Sequence, residues 1–388
     1  MIVSKVHIQA FKSIRQMTLP LDPKITVLIG PNESGKTNLL KTIEYFRPDV
    51  TLSTEHTCQY SDFYQAGKPP HIGLELTHFS REEQTKLIKV YEGFRNLDSF
   101  ILRREGPRST DYKVQTNDKI LTIGNAKSLF EFLPKIVYFD TISVIKDRID
   151  LDTLLKESDI PSTEKNLLKI GGIEDPELIF QDSTKGRRAA EEASREITTR
   201  IREVWTQEPS LEIKLRVNGK LLYVDFSDAT TVYDTPKTRS LGFLWYLSFY
   251  INFIATTNEA KANEYFFLLD EPGLHLHPSG QKDLTNLLEN LSQKNQLIYT
   301  THSPFMIDRN YPQRVRLVMK EENGTVVDNE AYRDNWRPLR QSIGLTVGDL
   351  FFFSNKGILL EIPSKKAPFL AKSKKKRQPT NDAASNKK

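Results

Sequence analysis

The sequence predicts an α/β fold in which a buried parallel sheet carries a β-rich N-terminal lobe and a helical insertion. Three observations predict it. A short β-branched run, Ile25-Thr26-Val27-Leu28-Ile29, stops at a glycine-containing loop, and Asn38-Leu39-Leu40-Lys41-Thr42-Ile43 continues with helical spacing. Far downstream, Tyr265-Phe266-Phe267-Leu268-Leu269 has the near-continuous apolar character of a strand covered on both faces of a parallel sheet. From 141 to 207 the pattern changes to charged segments of helical period.

The elements follow in order. Val3, Val6 and Ile8 alternate into Phe11-Lys12-Ser13-Ile14, and Met17, Leu19 and Leu21 follow before the loop strand. Strands are expected at 72–79, 100–104 and 136–139, with a helix over 81–94. Ala190, Ala193, Ile197, Ile201, Val204 and Trp205 recur at helical spacing along 186–206. That apolar face either packs on its own domain or pairs with a second copy. Residues 211–217 and 220–226 flank Asn218-Gly219, a strong hairpin signal. A further strand, Gln296-Leu297-Ile298-Tyr299-Thr300, precedes Thr301-His302-Ser303-Pro304. The expected organisation is 1–140 and 211–357 as two parts of one head, 141–210 as a helical insertion, and 358–388 as a basic tail.

A chain of 388 residues can bury an ample core in one large domain with an insertion or in two domains. No segment approaches about 18 consecutive apolar residues, and Met1-Ile2-Val3-Ser4-Lys5 lacks a signal-peptide pattern. The expectation is therefore a cytoplasmic protein that does not engage a membrane. The single cysteine, Cys58, excludes an internal disulfide. The net charge of +5 is concentrated in the tail, where nine Lys/Arg from Ser364 to Lys388 stand against Asp382 alone and leave the remainder net negative. Such a tail either contacts nucleic acid without sequence preference or is simply solvated.

The chemistry sits in two places. Gly30-Pro31-Asn32-Glu33-Ser34-Gly35-Lys36-Thr37 matches G-x-x-x-x-G-K-[ST] between a strand and a helix N-terminus. In such a loop backbone N–H groups cradle phosphate oxygens, Lys36 reaches the β/γ-phosphates and the Thr37 hydroxyl ligates Mg²⁺. Asp270-Glu271 closes the apolar strand, so its charge is placed by the sheet: Asp270 as a Mg²⁺ partner and Glu271 as candidate general base for the attacking water. ATP and Mg²⁺ are thus the expected ligands. His302, at the tip of the next strand, can reach the γ-phosphate.

In order and combination, four segments resemble the ABC-type ATPase superfamily, a P-loop NTPase fold, and within it the ATPase half of the OLD (overcoming lysogenisation defect) family, related to RecF and SMC heads. They are Phe11-Lys12-Ser13-Ile14 with the loop through Asn38; Arg239-Ser240-Leu241-Gly242-Phe243-Leu244-Trp245; Leu269-Asp270-Glu271-Pro272-Gly273-Leu274-His275-Leu276-His277-Pro278; and Thr301-His302-Ser303-Pro304. The resemblance implies that Arg239, Ser240 and Gly242 stand in the signature that touches the γ-phosphate held by the opposite subunit. It implies that 274–278 is a D-loop at a dimer interface, and that His302 is a switch histidine. Taken without the family, Ser240 reads as a helix cap. Gln59 is a weak Q-loop candidate.

The resemblance further implies a TOPRIM nuclease domain after the His302 segment. Gly357-Ile358-Leu359-Leu360-Glu361 resembles its opening strand, but no Asp-x-Asp pair follows His302. The expectation is an ATPase without nuclease activity of its own. It either works with a separate TOPRIM-type nuclease or other effector, or is a shortened form of a longer nuclease. The expected function is a homodimer or higher homo-oligomer that closes around ATP and controls DNA-directed nuclease activity in repair or antiviral defence. The alternative is an ATP-dependent sensor or scaffold with little turnover.

Overall fold

The computed structural model describes residues 1–95, 97–108, 111–116, 120–122, 127–139, 143–156, 162–180, 184–230, 235–257 and 265–342. All of them belong to one unit, Met1–Leu345. The expected strand remnant at 357–361 and the basic tail lie outside the described residues.

The N-terminal lobe is an antiparallel sheet of β1 (Ile2–Phe11), β2 (Ile14–Pro20), β4 (His71–Thr77), β5 (Ser99–Arg104), β6 (Tyr112–Gln115) and β7 (Ile120–Thr122), in the order β2-β1-β4-β5-β6-β7. The loop strand β3 (Ile25–Ile29) lies instead in a second six-stranded sheet with β8 (Lys135–Phe139), β12 (Tyr265–Leu269), β13 (Gln296–Thr301), β14 (Val315–Glu321) and β15 (Gly324–Asp328). Its order is β15-β14-β3-β13-β12-β8; β15 alone runs antiparallel to its neighbour. A third sheet joins β9 (Arg148–Asp150), β10 (Glu212–Asn218) and β11 (Leu221–Ser227). The hairpin forms where it is expected, but its turn is shifted by one residue: Asn218 pairs with Leu221, and Gly219, at φ 59°, takes the first of the two central positions ahead of Lys220.

Strand alternation explains why β12 is apolar throughout. Phe266 and Leu268 join a core shared with Leu28, Ile298, the helix Lys36–Glu44 and the N-terminal sheet. Phe267 and Leu269 join a second core with Val27, Leu297 and Tyr299, filled by the helices Thr184–Val204, Leu241–Thr257 and Pro278–Leu291. Each face meets a different layer, so neither tolerates a polar residue. Helix Leu241–Thr257 is buried along most of its length, and no helix among the described residues is long and apolar enough to cross a membrane.

Two expectations change in detail. The helix expected over 81–94 ends at Val90 and a separate short turn, Glu92–Phe94, follows. Its start is set by a Ser80/Glu83 capping box. The segment expected to be long helices holds one of 21 residues, Thr184–Val204, preceded by short helices at Leu151–Lys156, Thr163–Ile170 and Glu177–Phe180 and by β9. Three-residue β9 is too short to show periodicity and exists because Ile149 pairs with Leu222. The apolar face of the long helix, from Ala190 to Ile201, is buried within its own chain.

Candidate functional site

Register decides where the chemistry gathers. Ile29 pairs with Thr301 and Leu269 with Tyr299, so parallel β3, β13 and β12 end side by side and release Gly30, His302 and Asp270-Glu271 at one edge. This is the carboxyl end of a parallel sheet, where open α/β folds bind ligands. A cavity of about 840 Å³ opens there, lined among others by Asn32, Glu33, Ser34, Gly35, Lys36, Thr37, Asn38, Asp270, Glu271 and His302.

The glycine-rich loop is clamped from outside. Gly35 has φ 105°, and a Cβ on it would lie 2.1 Å from Thr325 Oγ1, so only glycine fits. Thr325 Oγ1 bonds Ser34 O at 3.0 Å and Ser13 Oγ at 2.7 Å, and Asn38 Nδ2 donates to Ser13 Oγ at 2.8 Å. The β1–β2 turn and the β14–β15 hairpin thus hold the loop between them. Lys36 Nζ donates to Gly30 O at 3.0 Å and Pro31 O at 2.9 Å, which curls the loop over its own lysine. Gly30 and Pro31 act through these carbonyls and do not line the cavity.

Two acidic residues are held in different ways. Asp270 Oδ1 accepts from Thr300 Oγ1 at 2.6 Å and Thr37 Oγ1 at 3.3 Å, and its Oδ2 from Tyr138 OH at 3.2 Å. Glu271 stands in the left-handed region at φ 48°, and its N–H donates to Thr300 Oγ1 at 2.8 Å. Its Oε1 lies 2.9 Å from His302 Nε2 and 3.8 Å from Lys36 Nζ, yet is buried without an aligned donor. Burial pushes the Glu271 carboxyl up to about 7 against the opposing pull of Lys36. Burial also lowers His302, with Lys36 adding to it, and lowers Lys36 itself, with Glu271 and Asp270 opposing.

The residues fit the ligands they predict. An 840 Å³ cavity is within the size range of small-molecule sites. A hydroxyl and a carboxylate 3.3 Å apart offer the hard oxygen ligands that Mg²⁺ takes alongside water and phosphate. The unpartnered Glu271 Oε1 is a free acceptor beside them.

Arg239, Ser240 and Gly242 of the signature segment are not part of this cavity, although Trp245 at the end of that segment lines it. Ser240 caps helix Leu241–Thr257, its Oγ accepting from Phe243 N at 3.2 Å. Arg239 Nη1 donates to Asp228 Oδ2 at 2.8 Å while Nε and Nη2 stay buried without partners. Gly242 packs on the D-loop segment; a Cβ there would lie 2.4 Å from His275 O. Leu241 and Leu274 are exposed beside it. Gln59 is exposed and absent from the cavity wall, which its neighbour Tyr60 reaches instead. Ser13, Trp245, Lys320, Glu321, Glu322 and Gly324 also line the wall. Sequence reasoning missed Tyr138, Thr300 and Thr325, for which no local signal exists.

Comparison with known proteins agrees with this architecture. The family described as "AAA domain, putative AbiEii toxin, Type IV TA system" matches residues 25–308. The OLD nuclease of Thermus scotoductus is 22% identical over 84% of this chain and 63% of its own length. Endonuclease GajA of Bacillus cereus is 24% identical over 94% of this chain and 66% of its own. The chain therefore spans less than two thirds of the length of either relative. Among solved structures, an Smc head bound to the C-terminal winged-helix domain of ScpA superposes with a TM-score of 0.52 at 17% identity, covering 84% of this chain and 98% of that one. That likeness is one of fold. The chain belongs to the AAA-domain family whose match spans 25–308; it is similar to OLD-type nucleases along most of its length, and its fold is that of an Smc-type ATPase head.

Proposed function

We propose that the protein binds Mg-ATP at the carboxyl edge of its parallel sheet, hydrolyses it, and dimerises head to tail around it. The observation that carries this reading is the convergence of Lys36, Thr37, Asp270, Glu271 and His302 on one cavity from three separate strands.

Each residue has a role that its surroundings support. Loop N–H groups and Lys36 bind the phosphates; Lys36 sits in a buried position where its charge is not screened by water. Thr37 and Asp270 would hold Mg²⁺, which when bound neutralises charge on the phosphate oxygens. Glu271, with a free Oε1 and a carboxyl near neutrality, takes the proton of a water whose oxygen attacks the γ-phosphorus as the bond to ADP breaks. His302 orients Glu271 and faces the same phosphate. Arg239, Ser240 and Gly242 come from the second copy, consistent with their place outside the cavity of their own chain.

The output is control of DNA-directed nuclease activity. Support for this last step comes from the relatives' names, OLD nuclease and endonuclease GajA. The test is the mass in solution of Glu271→Gln with and without Mg-ATP. A dimer or larger assembly that forms only with nucleotide is the expected result. Wild-type protein that stays monomeric under saturating Mg-ATP while turning it over at full rate would overturn the reading.

A further inference from the structure

Gln281 lies on neither motif, yet its amide touches the two loops that carry the catalytic carboxylate and the histidine. It sits in the first turn of helix Pro278–Leu291 and is 8% exposed. Its Nε2 donates to Gly273 O at 2.9 Å, two residues after Glu271. Its Oε1 accepts from Ser303 Oγ at 2.5 Å, one residue after His302. Ser303 Oγ also accepts from Phe305 N at 3.3 Å, and Ser303 N donates to Thr301 Oγ1 at 3.0 Å, so the far end of the link is anchored. Met306 packs under the same junction, fully buried, with Thr285 Oγ1 3.7 Å from its sulfur.

We propose that Gln281 is a positioning residue that sets the Glu271–His302 geometry and couples it to the exposed loop at Leu274-His275. A side-chain amide is a donor and an acceptor at once, and both functions are used here, each on a different loop. No other side chain among the described residues hydrogen-bonds both the 272–275 loop and Ser303. Leu274 is exposed, so whatever contacts it pulls on Gly273, and through the Gln281 amide on Ser303 and the adjacent imidazole. A contact made at the rim is thereby felt at the 2.9 Å approach of His302 to Glu271. This inference rests on the ATPase reading of the same site and names the residue that regulates it.

The test uses the full chain and the variants Gln281→Met, Ser303→Ala, their double mutant, and Glu271→Gln as control. Methionine keeps the length and most of the volume of glutamine but neither donates nor accepts as an amide does. The expected result for Gln281→Met is a kcat lowered about tenfold, with KM and the affinity for Mg-mant-ATP changed less than about twofold. Ser303→Ala should show a smaller loss in the same direction, and the double mutant should match Gln281→Met, since both remove one link. Full turnover in Gln281→Met, or a loss carried by KM rather than kcat, would overturn the proposal. So would a loss that tracks only the folded fraction seen in thermal melting. Turnover retained by Glu271→Gln is a separate outcome, which removes Glu271 as the base; wild-type protein that neither binds nor hydrolyses Mg-ATP would remove the ATPase reading itself.

Discussion

Glu271 and His302 approach to 2.9 Å, Oε1 to Nε2, in a setting where burial disfavours charge on both. Burial raises the carboxyl to about 7 and pushes the imidazole down, so the surroundings favour the neutral form of both. Two residues from adjacent strands thus form one acid–base unit.

The first prediction concerns pH. With its carboxyl near 7, Glu271 is an active base only above that value. ATP turnover, measured as kcat/KM, should fall about tenfold per pH unit below about pH 7. Glu271→Gln should lower kcat by roughly 10²- to 10⁴-fold while still binding nucleotide. Lys36→Ala should lose both, because the positive charge under the phosphates goes.

The same shift has a sign in stability. The folded state raises this carboxyl from 4.5 to about 7, so it holds the proton more tightly than the unfolded chain does. Its stabilising contribution is present below the ordinary carboxylate value and is lost as pH rises through about 7. Glu271→Gln should therefore raise Tm at pH 8 relative to wild type and change it little at pH 5. An equal shift at both values would contradict the assignment.

Thr300 serves both acidic residues with a single hydroxyl, accepting from Glu271 N and donating to Asp270 Oδ1. Thr300→Val keeps the shape and removes the hydroxyl. It should destabilise the protein by about 1–3 kcal/mol, since the Glu271 N–H is left unpaired at a strained φ. Urea unfolding measures the loss, and kcat should fall more than nucleotide affinity does.

Gly35 tolerates no side chain, because Thr325 occupies the space and φ is positive. Gly35→Ala should abolish nucleotide binding in a fluorescence titration with Mg-mant-ATP. Relieving the clash with Thr325→Ala should recover it only in part, as the strain of φ 105° remains.

Arg104 is completely buried and binds carbonyls rather than a carboxylate. Its Nη1 reaches Tyr45 O and Arg47 O, just past the C-terminal end of helix Lys36–Glu44, and its Nε reaches Gly106 O. Arg104→Met should destabilise by roughly 3 kcal/mol, because these carbonyls lose their donor. The measurement is a urea titration without nucleotide.

What the sequence alone determined is local. Strand, loop and helix at 25–44, the acidic pair closing an apolar run, and the Asn218-Gly219 hairpin are each specified within a few residues by backbone sterics and burial period. The division of the insertion into short helices and β9 was not legible, since three residues carry no period. What only the tertiary structure decided is register. Pairing of Ile29 with Thr301 and of Leu269 with Tyr299 brings His302 to Lys36 across 266 residues, and turns Thr300, an unremarked position on an apolar strand, into the partner of the Asp270 carboxylate and the Glu271 backbone N–H. Hydroxyl and amide side chains such as Thr300, Thr325 and Gln281 suit a surface, a cap or a core equally well, and only the neighbour that folding supplies selects the use.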